Sequence, residues 1–307
     1  MAQAGYSRFL PTWKTPDAGF KGEERLKLSD TFAFKTVEGR NAVYRTYDAL
    51  MVYLKVPYEE IFVDTRFGKA FVVAAGEKSA PALVLLHGSG MNSVMWVGDI
   101  EKYSRQYRVY AVDLQGEPGK SDGRQLPFDG PDFVLWLRDV FHGLAIQKAS
   151  MVGISLGAWL SLKFGITHPE MIEKLVLLCP AGVGPQKASF AFLSLFHMMM
   201  GEKGMERLYR KINGGMDMPR EILDYQKLIG THFNFRPEQI PLFQDAELSR
   251  LTMPSRVFVG RKDVLFHSLK TAERYAKLVP NGKASVLRDA GHALVGLADD
   301  ILAFLNE

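Results

Sequence analysis

Six short runs of apolar residues, mostly separated by helix-length segments, constrain the fold of this 307-residue chain more than any other feature. Strands that are apolar on both faces need cover on both sides, which is typical of a parallel sheet lying between layers of helices. The sequence therefore predicts an α/β fold with a mainly parallel sheet. The runs are 82–86, 109–112, 150–152, 175–178, 257–259 and 284–287.

Helices and one hairpin are predicted around these strands. Apolar residues recur at helical spacing over 39–55, which predicts one amphipathic helix near the start of the chain. Segments 61–66 and 69–73 flank Phe67-Gly68 and read as a β-hairpin. The remaining predicted helices are 92–106, 131–145, 156–168, 267–279 and 293–306.

The strand–helix rhythm stops between residues 178 and 257, where no run predicts a strand. This part is rich in Met, Phe, Gly and Pro, and we interpret it as a helical lid inserted at 182–248. The predicted core is then 59–181 together with 249–307, preceded by an N-terminal arm and helix at 1–58.

Composition excludes several classes of protein. Lys and Arg number 38 against 34 Asp and Glu, a net charge of +4 without a dense basic run, so nucleic acid is not an expected partner. The single cysteine, Cys179, excludes an internal disulfide, and the seven histidines form no metal-binding pair, so no metal is expected. No stretch reaches the about 18 apolar residues of a membrane span, and the N-terminus does not resemble a secretory signal. We expect a cytoplasmic protein; the sequence leaves its oligomeric state open.

The strongest local motif is Gly153-Ile154-Ser155-Leu156-Gly157, which follows one predicted strand and opens a predicted helix. A strand–turn–helix context is what a nucleophile elbow requires, because the glycines allow a tight turn that raises the serine hydroxyl above the sheet. Ser155 is therefore the candidate nucleophile. A plain glycine-rich turn is the alternative interpretation.

A serine nucleophile needs a base, and the base needs an acid to orient it. His292 follows the last strand within Asp289-Ala290-Gly291-His292, and Asp263 follows the preceding strand. The chain order Ser155, Asp263, His292 is the order expected for such a triad. Asp289 is the rival acid, although its position on the same short loop as the histidine favours a turn role.

The loop after the first parallel strand reads His87-Gly88-Ser89-Gly90, and such a small turn can point backbone N–H groups at a substrate oxygen. The predicted oxyanion donors are the N–H groups of Ser89 and Leu156. We interpret His87 as a residue that holds this loop by hydrogen bonds, and Asp113, after the next strand, as a loop brace.

These motifs together resemble the α/β-hydrolase superfamily, over roughly residues 60–307. More narrowly, Thr65-Arg66-Phe67-Gly68 and Gly260 to Val264 resemble bacterial carboxylesterases of the naproxen-esterase type. In that group the acid matching Asp263 is often Glu, so this chain departs from the pattern there. The resemblance implies hydrolysis of carboxylic esters without metal or organic cofactor.

We therefore expect a serine carboxylesterase acting on a small ester with a largely apolar acyl or alcohol group. A C–C bond hydrolase, a thioesterase or an acyltransferase would use the same triad, and a ligand-binding receptor could use the same fold. Met and Phe side chains of the lid either fill its own core or line an apolar pocket. The candidate pocket residues are Phe192, Phe196, Met199 and Met200.

Overall fold

The computed structural model describes residues 33–216 and 218–307. Its eight strands form one sheet in the order β1-β2-β4-β3-β5-β6-β7-β8. Strand β2 runs antiparallel to β1 and β4, and all other neighbours are parallel. The strands are β1 (Tyr58–Thr65), β2 (Gly68–Ala75), β3 (Ala82–Leu86), β4 (Arg108–Val112), β5 (Ala149–Ile154), β6 (Ile172–Leu178), β7 (Ser255–Gly260) and β8 (Gly282–Leu287).

Ten α-helices accompany the sheet in the described part of the chain. They are α1 (Val37–Met51), α2 (Val97–Tyr103), α3 (Asp132–Gly143), α4 (Leu156–Thr167), α5 (Ser189–Met199), α6 (Gly201–Ile212), α7 (Arg220–His232), α8 (Asp245–Leu248), α9 (Ser268–Leu278) and α10 (Ala298–Leu305). None of these described helices is long and apolar enough to cross a membrane.

The core lies in two apolar layers, one on each face of the sheet. Side chains alternate between the faces of a strand, so Val84 and Leu86 of β3 join one layer while Leu83 and Leu85 join the other. Helices α3, α4 and α9 contribute to the first layer, and α1, α2 and α10 to the second. This arrangement confirms the predicted parallel sheet with helices on both faces.

The strands and the hairpin agree with the sequence prediction. Every predicted apolar run lies within a strand, and β1 pairs with β2 through a turn that places Thr65 opposite Gly68. Gly68 has φ +112°, a left-handed conformation that a side chain would oppose. The first helix was predicted at 39–55 and spans Val37–Met51 in the structure, where Thr36 caps its N-terminus.

Two predicted helices differ from the structure. The prediction of a single helix at 92–106 was wrong: a short 3₁₀ turn at Ser93–Trp96 precedes α2, because the extended Asn92 turns its side chain back to accept from the Val94 N–H. The helix predicted at 293–306 was too long at its start. Its first residues form a loop in which Gly296 has φ +75°, and α10 begins only at Ala298.

The chain between β6 and β7 contains helices α5 to α8 and no member of the sheet among its described residues. This segment contacts the N-terminal region: Phe34 pairs as an isolated bridge with Phe233, and α1 packs against α7. The domain limits 1–58, 59–181 with 249–307, and 182–248 stay a prediction. Residues 1–32 of the predicted arm lie outside the described residues.

Candidate active site

The predicted functional residues gather at one edge of the sheet. Because β3 to β8 run parallel, the loops after their carboxyl ends open onto the same side. Ser155 follows β5, Asp263 follows β7 by three residues, and His292 follows β8 by five. The topology therefore brings together residues that are far apart in the chain.

Ser155 occupies a strained turn between β5 and α4. Its φ of 52° and ψ of −108° lie outside the regions that a residue with a side chain ordinarily adopts. Its N–H donates to the Leu178 carbonyl at 2.9 Å, and its own carbonyl accepts from the Trp159 N–H at 3.0 Å. The backbone is thus held while the half-buried side chain lies at the N-terminus of a helix, where negative charge is favoured.

The two glycines of the motif are required by close backbone approach. A Cβ atom on Gly157 would lie 2.2 Å from the Leu86 carbonyl oxygen, and one on Gly153 would lie 2.6 Å from the backbone of Gly157. The elbow can therefore form only if both positions lack a side chain.

We expect Gly157→Ala to lower the stability of the protein by about 1–3 kcal/mol, because overpacking against backbone forces the turn to shift. Thermal unfolding measures this loss, and ester turnover should fall with it. Gly130→Ala is the matched control, since a Cβ there meets nothing closer than 3.9 Å. Equal melting temperatures for the two variants would contradict this account of the elbow.

Asp263 and His292 form a direct pair. His292 Nδ1 lies 2.8 Å from Asp263 Oδ2, and both side chains are buried. The other carboxylate oxygen, Oδ1, accepts the N–H groups of Leu265 at 2.6 Å and Phe266 at 3.1 Å. Burial by itself would raise the pKa of Asp263, but the His292 ring and these N–H donors outweigh it and hold the pKa below 3.8. Asp263 is therefore ionised at neutral pH and can orient the imidazole.

The histidine loop also touches the segment between β6 and β7. The His292 N–H donates to the Ile212 carbonyl at 2.8 Å, and the Ala293 N–H points to the same oxygen at 3.4 Å. Nearby, the Lys187 ammonium donates to the backbone carbonyl of Asp263 at 2.6 Å. Sequence reasoning missed these contacts, because they are made by backbone atoms or by an ordinary lysine far away in the chain.

The structure records no hydrogen bond between the Ser155 hydroxyl and the His292 ring, although both residues lie in its described part. Catalytic hydrogen bonds are often long without substrate and tighten when it binds, so the pairing of Ser155 with His292 stays a prediction. The neighbouring strands hold them close, since Ser155 bonds to Leu178 and the adjacent Cys179 Sγ lies 3.9 Å from the Gly291 oxygen.

The predicted oxyanion donors lie on either side of Ser155. Leu156 is the first residue of α4, and a Cβ built on Gly88 would lie 3.7 Å from the Ser155 Cβ, which places the Gly88-Ser89 turn beside the nucleophile. Within the described chain, neither the Ser89 N–H nor the Leu156 N–H donates to an acceptor. Both are therefore available to a substrate oxygen.

His87 and Asp113 hold the loops around the site. His87 Nε2 accepts the Leu114 N–H at 2.8 Å, so Nδ1 carries the proton and donates to the Gly88 carbonyl at 2.8 Å. Burial lowers the pKa of His87 and so keeps its ring neutral. Both ring nitrogens are already engaged in hydrogen bonds. Asp113 accepts the N–H groups of Ser93 at 2.8 Å and Lys120 at 2.7 Å.

Asp289, the rival acid, lies elsewhere. Its carboxylate pairs with Lys262 at 3.1 Å and its side chain is 83 % exposed. Among the described residues, one group has metal-ligating atoms close together, namely Cys179, Asp263 and His292, within 4.8 Å of one another. Burial raises the pKa of the Cys179 thiol far above its ordinary value, which disfavours the thiolate that a metal requires.

The four candidate pocket residues lie on α5 or directly after it. Phe192 is 75 % exposed, Phe196 60 %, Met199 81 % and Met200 41 %. They do not fill a core of the helical segment, and the structure shows none of them in contact with the triad. Their part in substrate binding stays a prediction.

The chain resembles known proteins over most of its length. Residues 83–304 match the Alpha/beta hydrolase family. Carboxylesterase YbfK of Bacillus subtilis is 31 % identical, over 87 % of this chain and 93 % of the relative. A second relative from the same organism, described as uncharacterized carboxylesterase nap, is 30 % identical over 82 % of this chain and 86 % of its own length.

Solved structures agree with these sequence relationships. The crystal structure of carboxylesterase CesB (YbfK) from Bacillus subtilis superposes with a TM-score of 0.80 at 30 % identity, covering 88 % of this chain and 99 % of the other. The naproxen esterase (carboxylesterase NP) of that organism gives a TM-score of 0.79 at 27 % identity, covering 89 % and 100 %. These matches confirm the resemblance to naproxen-esterase-type enzymes. The chain belongs to the alpha/beta hydrolase family.

Proposed function

We propose that this protein is a serine carboxylesterase that hydrolyses small carboxylic esters through an acyl-enzyme. The observation that carries the proposal is the 2.8 Å contact between His292 Nδ1 and Asp263 Oδ2, at the sheet edge where the strained Ser155 turn opens. Two Bacillus relatives described as carboxylesterases support the same reaction.

The first half of the reaction acylates Ser155. Its Oγ attacks the ester carbonyl carbon while His292 Nε2 takes the hydroxyl proton. The negative charge that develops on the carbonyl oxygen is stabilised by the N–H groups of Ser89 and Leu156. The alcohol then leaves with the proton from His292, and the acyl group remains on Ser155.

The second half of the reaction hydrolyses the acyl-enzyme and regenerates the free enzyme. Water attacks the acyl carbonyl, and His292 takes the water proton as a general base. The tetrahedral intermediate collapses, the carboxylic acid leaves, and Ser155 recovers its proton. Throughout, the ionised Asp263 holds the Nδ1–H tautomer and offsets the positive charge on the imidazolium.

A graded series of p-nitrophenyl esters, from acetate to long acyl chains, tests the proposed activity. We expect burst kinetics followed by steady turnover, because the acyl-enzyme accumulates when its hydrolysis is slower than its formation. Absence of turnover on every activated ester of the series, with folded protein, would contradict the proposal.

We further propose that α5 forms one wall of an apolar substrate site. Lys187 anchors the start of this helical segment against the Asp263 loop, through its side chain and through its N–H to the Leu265 carbonyl at 2.7 Å. Exposed Phe and Met side chains on α5 would gain apolar contact when an acyl chain lies against them.

We expect Phe196→Ala and Met199→Ala to change the preference between long and short acyl chains by about 1–3 kcal/mol, the usual value of one apolar wall contact. The measurement is kcat/KM for each ester of the series, beside the melting temperature. Phe62→Ala is the matched control, since Phe62 is 54 % exposed but lies on the outer strand β1. Unchanged selectivity in both α5 variants would contradict the proposal that α5 lines the substrate site.

A further inference from the structure

A buried carboxylate that the reaction does not use lies beside the proposed oxyanion loop. Glu117, on the loop after β4, is only 1 % exposed. Its Oε2 accepts the Gly90 N–H at 2.7 Å and the Ser89 hydroxyl at 3.3 Å. Hydrogen bonds to a charged acceptor are about twice as strong as neutral ones, so this carboxylate grips the turn that carries the Ser89 N–H.

The segment between β6 and β7 encloses the other side of this turn. The Phe235 ring packs against Gly90 so closely that a Cβ there would meet it at 2.6 Å. The adjacent Arg236 guanidinium is 6 % exposed and lies over the Phe128 ring, 4.6 Å from its centroid. Within the described chain, its Nε and Nη2 atoms have no hydrogen-bond partner.

Arg236 acts on Glu117 through its charge. It also donates from Nη1 to the Leu126 carbonyl and lies 3.7 Å from the exposed Glu238 carboxylate. The favourable field of the guanidinium helps the buried Glu117 to ionise. A residue of the segment between β6 and β7 thus contributes, after burial and the Gly90 N–H, to the charge state of the carboxylate that holds the oxyanion turn.

We propose that Glu117 is a positioning residue for the reaction: its carboxylate, kept ionised with the help of Arg236, holds the Ser89-Gly90 turn so that the Ser89 N–H faces the substrate oxygen. The proposal rests on the proposed esterase function, and it adds a pH-dependent link between the inserted segment and the oxyanion site.

The direction of the pH effect follows from burial. Burial raises the pKa of Glu117 from 4.5 to about 7, although the Gly90 N–H, Arg236 and the Ser89 hydroxyl all lower it. Glu117 is therefore ionised above about pH 7 and takes up a proton below it. The hydrogen bonds from the Ser89-Gly90 turn to Glu117 weaken as the pH falls through this range, and turnover falls as a result.

Other charged or titratable groups around the turn are already engaged. On the loop of Glu117, Asp113 accepts backbone N–H groups and Lys120 pairs with Asp48 at 2.6 Å. Asp122 accepts from the Arg124 N–H at 2.9 Å, and His87 uses both ring nitrogens. Of the groups that face Glu117, Arg236 supplies the charge.

The first test follows kcat against pH on one activated ester. We expect Glu117→Gln to lower kcat at pH 8 by about 10-fold with little change in KM, a smaller loss than removal of an oxyanion donor, because the donor remains but is held less firmly. The parent profile should contain one more ionisation, near pH 7, than the profile of this variant. Asp122→Asn, a carboxylate change on the same loop, should leave kcat and its profile unchanged.

The Arg236→Met variant tests whether the positive charge of Arg236 acts on the Glu117 carboxylate. Met preserves apolar contact with the Phe128 ring but removes the cation, so the Glu117 inflection should move to higher pH. The double variant Arg236→Met with Glu117→Gln should have the same pH profile of kcat as Glu117→Gln alone. A shift that persists in the double variant means that Arg236 acts on His292 instead, and it overturns the proposal. So does an unchanged kcat in Glu117→Gln.

A readout without turnover distinguishes this proposal from the esterase function. In the ¹⁵N-labelled Ser155→Ala variant, the Gly90 amide resonance should titrate with a midpoint near pH 7, and Arg236→Met should raise that midpoint. Titration without ester turnover in the parent would refute the esterase and leave the Glu117 contact standing. A Gly90 resonance that does not move between pH 5 and 9 would overturn the Glu117 proposal, whether or not Glu117→Gln folds.

Discussion

Ser155→Ala should lower ester turnover by about 10⁴-fold or more while the protein remains folded. The substitution removes the attacking oxygen but leaves the strained turn, whose backbone bonds to Leu178 and Trp159 do not involve the side chain. Steady-state kcat on an activated ester, beside the melting temperature, measures both parts of this expectation.

Ser161→Ala is the matched control for the nucleophile. Ser161 lies on the same helix, is fully buried, and donates its hydroxyl to the Gly157 carbonyl at 2.8 Å. Its removal should change turnover little. If Ser155→Ala kept near-full turnover, or if Ser161→Ala lost as much, Ser155 would not be the nucleophile.

Asp263→Asn should slow the reaction by about 10⁴-fold, because an amide favours the wrong imidazole tautomer. Asp263→Glu should retain part of the activity, since Glu keeps a carboxylate that can orient the imidazole. Burial alone would raise the pKa of Asp263, but the His292 ring and the backbone N–H donors hold it below its ordinary value, so the carboxylate is present at neutral pH to orient the imidazole.

Asp289→Asn provides the comparison for the acid. Asp289 is exposed and pairs with Lys262, so its change should leave kcat within about two-fold, as for most surface substitutions. A folded Asp289→Asn variant that loses more activity than Asp263→Asn would move the role of acid to Asp289.

The sheet and the convergence of Ser155, Asp263 and His292 at one edge of it could be predicted because both depend on local patterns; the catalytic roles of these residues stay a prediction. Parallel strands such as β3 and β7 carry short runs of buried apolar residues, and the polar residues of the candidate site lie in the loops after their carboxyl ends. Ser155, Asp263 and His292 each follow the carboxyl end of a parallel strand, so their convergence follows from the topology of the sheet, even though the edge strand β8 is only partly buried.

Other features depend on contacts that local sequence does not encode. Helix α10 begins late because the His292 and Ala293 N–H groups turn to the Ile212 carbonyl, which belongs to a distant helix. Glu117 reads as a loop residue between Gly116 and Pro118, and only the tertiary structure encloses it against Gly90. The burial of Arg236 over the Phe128 ring is likewise a tertiary contact that local sequence does not predict.

Labelling with a fluorophosphonate tests the central claim most directly. The Ser155 Oγ should form a bond to phosphorus as fluoride leaves and His292 takes the proton, giving one adduct per chain on the peptide that contains Ser155. The Ser155→Ala variant should remain unlabelled, and Asp263→Asn should label far more slowly. An adduct on another residue, or equal labelling of Ser155→Ala, would contradict the account of this protein as a serine hydrolase acting through Ser155.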